Sequence, residues 1–422
     1  MANSRAARKE LISWMLFDFA NSSYTTLIVT IVFPIFFKEI IVGENGDGAY
    51  LWAISIFISQ ILVVISAPVL GAFADYSATK KRMLLVTYLG CVASTALLGI
   101  TGPNEIILGM TLFIVSNLFF SIGENLIAAF LPEITTPEKM GRVSGFGWAL
   151  GYSGGLLSIA VCYPFTHVEY IAKNTSSFQL SFVVVALFFF LGGLPTFLFL
   201  KERATARKLT SGMGYAAVGF RRVLKTLSNI RKYRQLFRFM LVFFTYNCGI
   251  AIVITFAGIY ANETINMGGK ELSIFFMIVQ ISAALGALAF GFLQDWIGSK
   301  KPIILSLFIW LSVCIGAYFS TTAWHFYMVG NLAGIAMGSS QSGARALVGT
   351  FTPVSHTGEF FGFWGLFGKL SFGVGPLFYG TIRSSLGVRQ AILVTSLFFV
   401  LGIIGMFFVN EKEGRSLAKS NH

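Results

Sequence analysis

The sequence predicts an all-α integral membrane protein whose twelve transmembrane helices form two pseudo-symmetric six-helix bundles. Three observations carry this reading. The 422-residue chain is 55% hydrophobic and 12% charged, about half the charged fraction of a soluble domain, and its mean hydropathy is +0.75. Twelve apolar stretches of membrane-spanning length follow one another between polar or turn-forming residues. A basic stretch then divides them six and six, with motifs repeated at nearly fixed offsets on either side.

The spans fall at 13–38, 50–74, 83–102, 106–131, 144–165 and 178–200, and then at 236–261, 272–294, 302–320, 324–349, 360–382 and 389–409. No strand-like alternation competes, and backbone exposed to lipid must satisfy its own hydrogen bonds, so each span is helical. The basic first ten residues lead into an apolar run without a small-residue cleavage site, which reads as a retained span and not a signal peptide. The expected units are 1–200, a linker at 201–235, and 236–422.

An even number of spans puts both termini on one side. Of the 31 basic residues, 25 fall on that side, five on the other, and one, Lys369, inside a span. Basic residues concentrate in cytoplasmic loops, so both termini are expected in the cytoplasm. Within the linker, Phe220, Val223, Leu224, Leu227 and Ile230 share a helical face flanked by Arg221, Arg222 and Lys225. Two readings stay open: a helix on the inner leaflet, or a solvated connector.

The net charge of +13 would point to nucleic acid in a soluble protein; here topology accounts for it, and no nucleic-acid partner is expected. The four Cys lie singly inside apolar runs and the four His are scattered, so neither a disulfide framework nor a metal site is expected. No nucleophile–base pair or phosphate-binding loop stands out, which leaves no basis for an enzyme, a cofactor or ATP-driven pumping. A monomer in contact with membrane lipids is expected.

The halves repeat each other. Gly71-x-x-x-Asp75-x-x-x-x-Lys80 follows span 2, and Gly291-x-x-x-Asp295-x-x-x-x-Lys300 follows span 8; Gly141, Gly145 and Gly151 recur as Gly358, Gly362 and Gly368. The glycine of the pattern lets two helices approach, and the carboxylate can sit at a neighbouring helix N-terminus, where the helix dipole favours negative charge. The lysines are expected to anchor the loop at the cytoplasmic surface. Gly147, Gly151 and Gly155, and again Gly330, Gly334 and Gly338, repeat every four residues and read as packing faces.

Two such copies in matched loops resemble the signature of the major facilitator superfamily, although Tyr76 and Trp296 stand where that signature often has arginine. The strings Trp14-Met-Leu-Phe-Asp-Phe-Ala-Asn-Ser-Ser-Tyr24 and Leu131 to Tyr152 resemble the branch containing the autophagy-related vacuolar amino-acid effluxers and their bacterial relatives. The resemblance implies a secondary transporter that exports amino acids, with spans 1, 4, 7 and 10 lining the pathway; the short loops and compact length look more like its bacterial than its fungal members, which implies a bacterial inner membrane.

Polar residues inside spans are the candidate site, because each is costly in a bilayer. Span 1 offers Asp18, Asn21 and Thr25; span 4 offers Asn117, Ser121, Glu124 and Asn125; span 10 offers Asn331 and Gln341. Lys369 lies nine residues, about 14 Å, inside span 11, and is expected either to bind a solute carboxylate or to pair with Asp18 or Glu124. The expected cytoplasmic gate comprises Gly71, Asp75, Lys80, Arg82, Arg142, Asp295, Lys300 and Arg345. The solute is a small polar or zwitterionic molecule, with protons as one coupling ion. Alternatives are another metabolite, a peptide or siderophore-like solute, or a receptor on the same fold.

Overall fold

A computed structural model describes residues 7–168, 171–203, 215–228 and 230–420. Among these, regular structure is entirely helical. Twelve long helices follow the expected order: α1 from Arg8–Ser23, α2 Gly48–Ser77, α3 Lys80–Leu97, α4 Ile106–Ala128, α5 Met140–Thr166, α6 Thr175–Phe199, α7 Arg234–Ile265, α8 Gly269–Ile297, α9 Lys300–Phe319, α10 Ala323–Phe351, α11 Thr357–Leu386 and α12 Val388–Phe407.

Local chemistry sets several of their ends. Asp47 Oδ1 accepts from the Tyr50 amide at the start of α2 (3.0 Å), and Thr322 Oγ1 accepts from the His325 amide at the start of α10 (3.3 Å). Gly298 and Gly387, at φ 85° and 93°, end α8 and α11 in the left-handed region that glycine adopts without strain.

Among the described residues, ten helices are long and apolar enough to cross a membrane. The other two of the expected twelve, α10 and α11, have 29 and 30 residues. Serine and glycine dilute α10, and α11 carries Glu359, Lys369 and Arg383. The helices that fall short in apolarity are thus two that the sequence marked for polar work.

The first helix departs from the expected span 13–38. It begins at Arg8 and continues through a π-helical stretch, Tyr24–Ile31, a short α-helical piece, Val32–Phe36, and a second π-helical stretch, Phe37–Val42. Thr30 Oγ1 donates to the Thr25 carbonyl five residues back (2.8 Å), as this wider winding allows.

Two apolar cores result. One gathers buried residues from Trp14 to Leu200 with Ala346 added. The other gathers residues from Val223 to Val409 with Ala72, Ala128 and Ala129 added. The few strays mark the seam, where α2 packs on α11 and α5 on α8.

The linker contains a helix, Tyr215–Ser228, on α2. Its Val223 is buried, whereas Phe220 and Leu224 face outward. The expected contributions of Arg222, Leu227 and Ile230 lie outside the described side chains, as does linker stretch 204–214.

Candidate functional site

The seam closes at the end of the molecule that carries the basic loops. There the two aspartates of the repeated motif cap each other's halves. Asp75, near the end of α2, accepts from the Gly358 and Glu359 amides at the first turn of α11, both at 2.9 Å. Asp295, near the end of α8, accepts from the Gly141 and Arg142 amides at the first turn of α5, at 2.9 and 3.3 Å. Each carboxylate meets orphan amides and the positive end of a helix dipole. The backbones touch beside both caps: a Cβ on Gly71 would overlap the Gly358 carbonyl, and one on Gly141 would overlap that of Gly291.

The cations around these caps do not follow the repeat. Lys80 is fully buried, not a surface anchor. Its ammonium lies 3.3 Å from Asp75, pairs with Glu133 and donates to the Thr357 hydroxyl. Its counterpart, Lys300, stays out of the seam and donates to the carbonyls of Phe407 and Val409 at the end of α12 (3.2 and 2.7 Å). Asp295 is paired by Arg142 instead, and the position matching Arg142 in the other half is Glu359. Arg82 is exposed on the first turn of α3. Motif recognition placed the aspartates; the different cation at each cap depends on tertiary neighbours.

A further pair of carboxylates was missed. Glu202, just past α6, accepts from the Lys80 and Lys81 amides that open α3 (2.7 and 3.1 Å). Glu411, just past α12, accepts from the Ser299 and Lys300 amides that open α9 (3.1 and 3.0 Å). Burial pushes the Glu202 carboxyl up from its ordinary value, opposed by those two amides and by Lys80. The sequence signal is an acid within two residues of the end of the sixth and twelfth spans.

Behind the caps lies a second connection. Arg345 of α10 reaches across to α1 and α5: its Nη1 donates to Asp18 Oδ2 (2.6 Å), its Nε to Ser144 Oγ (3.0 Å) and its Nη2 to the Ser144 carbonyl (2.9 Å). The guanidinium lies over the rings of Trp14 and Trp148, at 4.7 and 5.4 Å, a desolvated cation–π arrangement. Gly147 leaves room for the pair, since a Cβ there would strike both Asp18 and Arg345. Both side chains are nearly dry, at 4% and 11% exposure. Asp18 is therefore paired.

Deeper still is a looser, more exposed pair. Lys369 lies twelve residues, about 18 Å, into α11. Its Nζ lies 3.7 Å from Glu124 of α4, with side-chain exposures of 21% and 31%. That separation is too long for a direct hydrogen bond. One turn before Lys369, Gly365 makes room for the Asn125 amide, which a Cβ would overlap. The Asn125 Nδ2 and the Ser121 hydroxyl are buried without hydrogen-bond partners. Buried polar atoms are ordinarily bonded, so these two have unused capacity beside the charged pair.

Glu124, Asn125, Ser121 and Lys369 thus come together, and Asp18 joins Arg345. The other candidates do not converge. Asn117 donates to Ser59 of α2 (2.6 Å), a bond between neighbouring helices. Asn331 accepts from Ser282 of α8 (2.7 Å) on an exposed part of α10. Asn21 is buried on α1, Thr25 donates to the Ser22 carbonyl (3.1 Å), and Gln341 is half-buried on α10.

If the caps hold the seam without touching a ligand, Asp75→Asn should raise the accessibility of a cysteine placed at the seam and change turnover. Solute affinity should stay within a few-fold. A large loss of affinity with unchanged accessibility would contradict that role.

Comparison with known proteins bears on this geometry. A family model described as "Vacuole effluxer Atg22 like" matches residues 48–140 and 137–419. An uncharacterized MFS-type transporter, YxiO of Bacillus subtilis (strain 168), is 31% identical over 425 residues, covering 98% of both chains. Autophagy-related protein 22-1 of Penicillium rubens is 21% identical over 467 residues, 90% of this chain and 78% of that one. Among solved structures, the human organic anion transporter MFSD10 superposes with a TM-score of 0.77 at 14% identity, over 94% of this chain and 99% of that one. FucP in its outward conformation gives 0.76 at 13%, over 96% and 100%.

Proposed function

The chain belongs to the vacuole effluxer Atg22-like branch of the major facilitator superfamily and is a multi-pass membrane transporter, and we propose that it moves a small polar or zwitterionic solute by alternating access. Amino acids are the first solute class and export the first direction to test. The carrying observation is the combination of a closed seam at one end with a partly exposed pair, Lys369 and Glu124, bridging the halves above it. Opposite charges held apart at 3.7 Å can be separated by a solute bearing an anionic and a cationic group. The caps and the Asp18–Arg345 connection act as the gate, which releases when the basic end opens. A counterflow screen in proteoliposomes with amino acids and organic acids tests this. Exchange of organic acids alone favours the alternative solute class, and solute-dependent protection of a pathway residue without flux favours a receptor.

The bias of basic residues supports termini in the cytoplasm. A cysteine at Lys412 should then react with an impermeant maleimide only after cells are permeabilised; reaction in intact cells would reverse the assignment.

Protons are the proposed coupling ion and Glu124 their carrier. Glu124→Gln should flatten the pH dependence of flux, because it removes the carboxylate that faces Lys369 across the two halves. An unchanged pH profile in this variant would remove Glu124 from coupling.

A further inference from the structure

The linker helix Tyr215–Ser228 joins α7 within a few residues, yet it packs on α2 of the other half. Gly219 lies so close to α2 that a Cβ would come within 2.6 Å of the Val69 carbonyl. Val223 is buried in the same apolar cluster as Ala72, Ala128 and Ala129. Just beyond the helix, Tyr233 meets Phe360 of α11 edge-on at 4.7 Å. Val69 precedes by two residues the glycine whose backbone touches Gly358. The helix therefore straps the turn of α2 that closes against α11.

Its outward face has a different character. Phe220 and Leu224 are 57% and 51% exposed, unusual for large apolar side chains on a linker. Arg221 and Lys225 are exposed beside them, and the helix holds no acidic residue. One turn from Val69 along α2, Ile65 is 67% exposed, as a lipid-facing residue would be. The apolar pair thus continues the apolar surface of α2 at its edge, with cations alongside. Apolar side chains at that boundary flanked only by cations complement negatively charged headgroups.

We propose that Phe220, Arg221, Leu224 and Lys225 dock on a bilayer surface containing anionic lipid, and that this docking holds the basic end closed. Separating α2 from α11 must either strip the strap from α2 or drag it out of the headgroups. Anionic headgroups make the second route harder, by roughly fivefold in the open–closed equilibrium for each basic residue that reaches them.

The test uses the full chain with its four buried cysteines replaced by alanine. A nitroxide on Leu224→Cys reports depth by its relaxation with oxygen against a nickel chelate, in phosphatidylcholine vesicles and in phosphatidylcholine–phosphatidylglycerol vesicles. The label should sit below the headgroups when phosphatidylglycerol is present. A second protein carries Ala346→Cys, a fully buried seam position on α10, and is labelled with an impermeant maleimide from the basic side. Phosphatidylglycerol should slow this labelling by roughly fivefold per basic residue. Arg221→Gln with Lys225→Gln should abolish the difference without changing the rate in phosphatidylcholine alone. A nitroxide fully in water in both vesicles overturns the docking face. A seated nitroxide with labelling indifferent to lipid charge overturns the hold on the gate.

Discussion

Lys369→Met should give a folded, normally inserted protein whose solute counterflow falls by roughly 10- to 100-fold, the loss of one charge-assisted hydrogen bond to a bound carboxylate. A lysine at this depth costs about 3 kcal/mol on insertion scales, so its removal does not by itself hinder insertion. The partner left behind decides the stability. Glu124 keeps 31% of its side chain exposed and lies 3.7 Å from the ammonium, so it is not sealed in the packed interior when the lysine is gone. That differs from orphaning a dry carboxylate, where the cost is about 3–5 kcal/mol. Thermal stability should therefore stay near the parent's while binding is lost. A purely structural pair gives the opposite pattern: an unstable single variant, rescued when Glu124→Gln removes the partner charge. Normal expression with normal transport would sink both versions.

How much of this was legible in the sequence depends on whether the signal was local. The spans were, because twenty apolar residues in a row have few alternatives in a bilayer. So were Asp75 and Asp295, since a short acid four residues after a packing glycine is a self-contained device that met its helix N-terminus in both copies. Lys80 was not. Three basic residues after a helix read as a surface cluster, and only folding brings Glu133 and Thr357 to the first of them. Lys300 sits in the same pattern and goes elsewhere because Glu411 and the end of α12 are its neighbours. Asn117 shared a stripe with Glu124 but bonds Ser59, a choice that depends on helix rotation and not on spacing. The π-helical winding beyond α1 had one sequence mark, Pro34 in the short piece between the two π-helical stretches, where a proline breaks the helical ladder; Tyr24–Ile31 itself holds neither proline nor glycine.

Arg345→Met should swing the molecule toward the state open at its basic end, raising impermeant labelling of Ala346→Cys by about 100-fold or more. In the closed state Arg345 makes three side-chain bonds to Asp18 and Ser144 and lies over two indole rings. The matching position of the other half is Ala128, so the repeat supplies no second copy of this connection. Methionine preserves much of the bulk between Trp14 and Trp148 but leaves the Asp18 carboxylate dry and unpaired. That penalty, about 3–5 kcal/mol, applies only while the seam is shut, because opening lets water reach Asp18. A penalty confined to one of two states shifts their ratio by its full amount, here from roughly 10²-fold to nearly 10⁴-fold. Turnover should fall as well, since a cycle biased to one side stalls on the return. Asp18→Asn should shift the equilibrium the same way but less, because Arg345 keeps its bonds to Ser144 and its place between the rings. The double variant, with neither charge, should label more slowly than Arg345→Met alone, and that non-additivity is the signature of a direct pair. If Arg345→Met labels at the parent's rate, the pair contributes packing and nothing to the gate. If the double variant labels as fast as the single one, Arg345 holds the seam through Ser144 and the indoles, and Asp18 is a bystander.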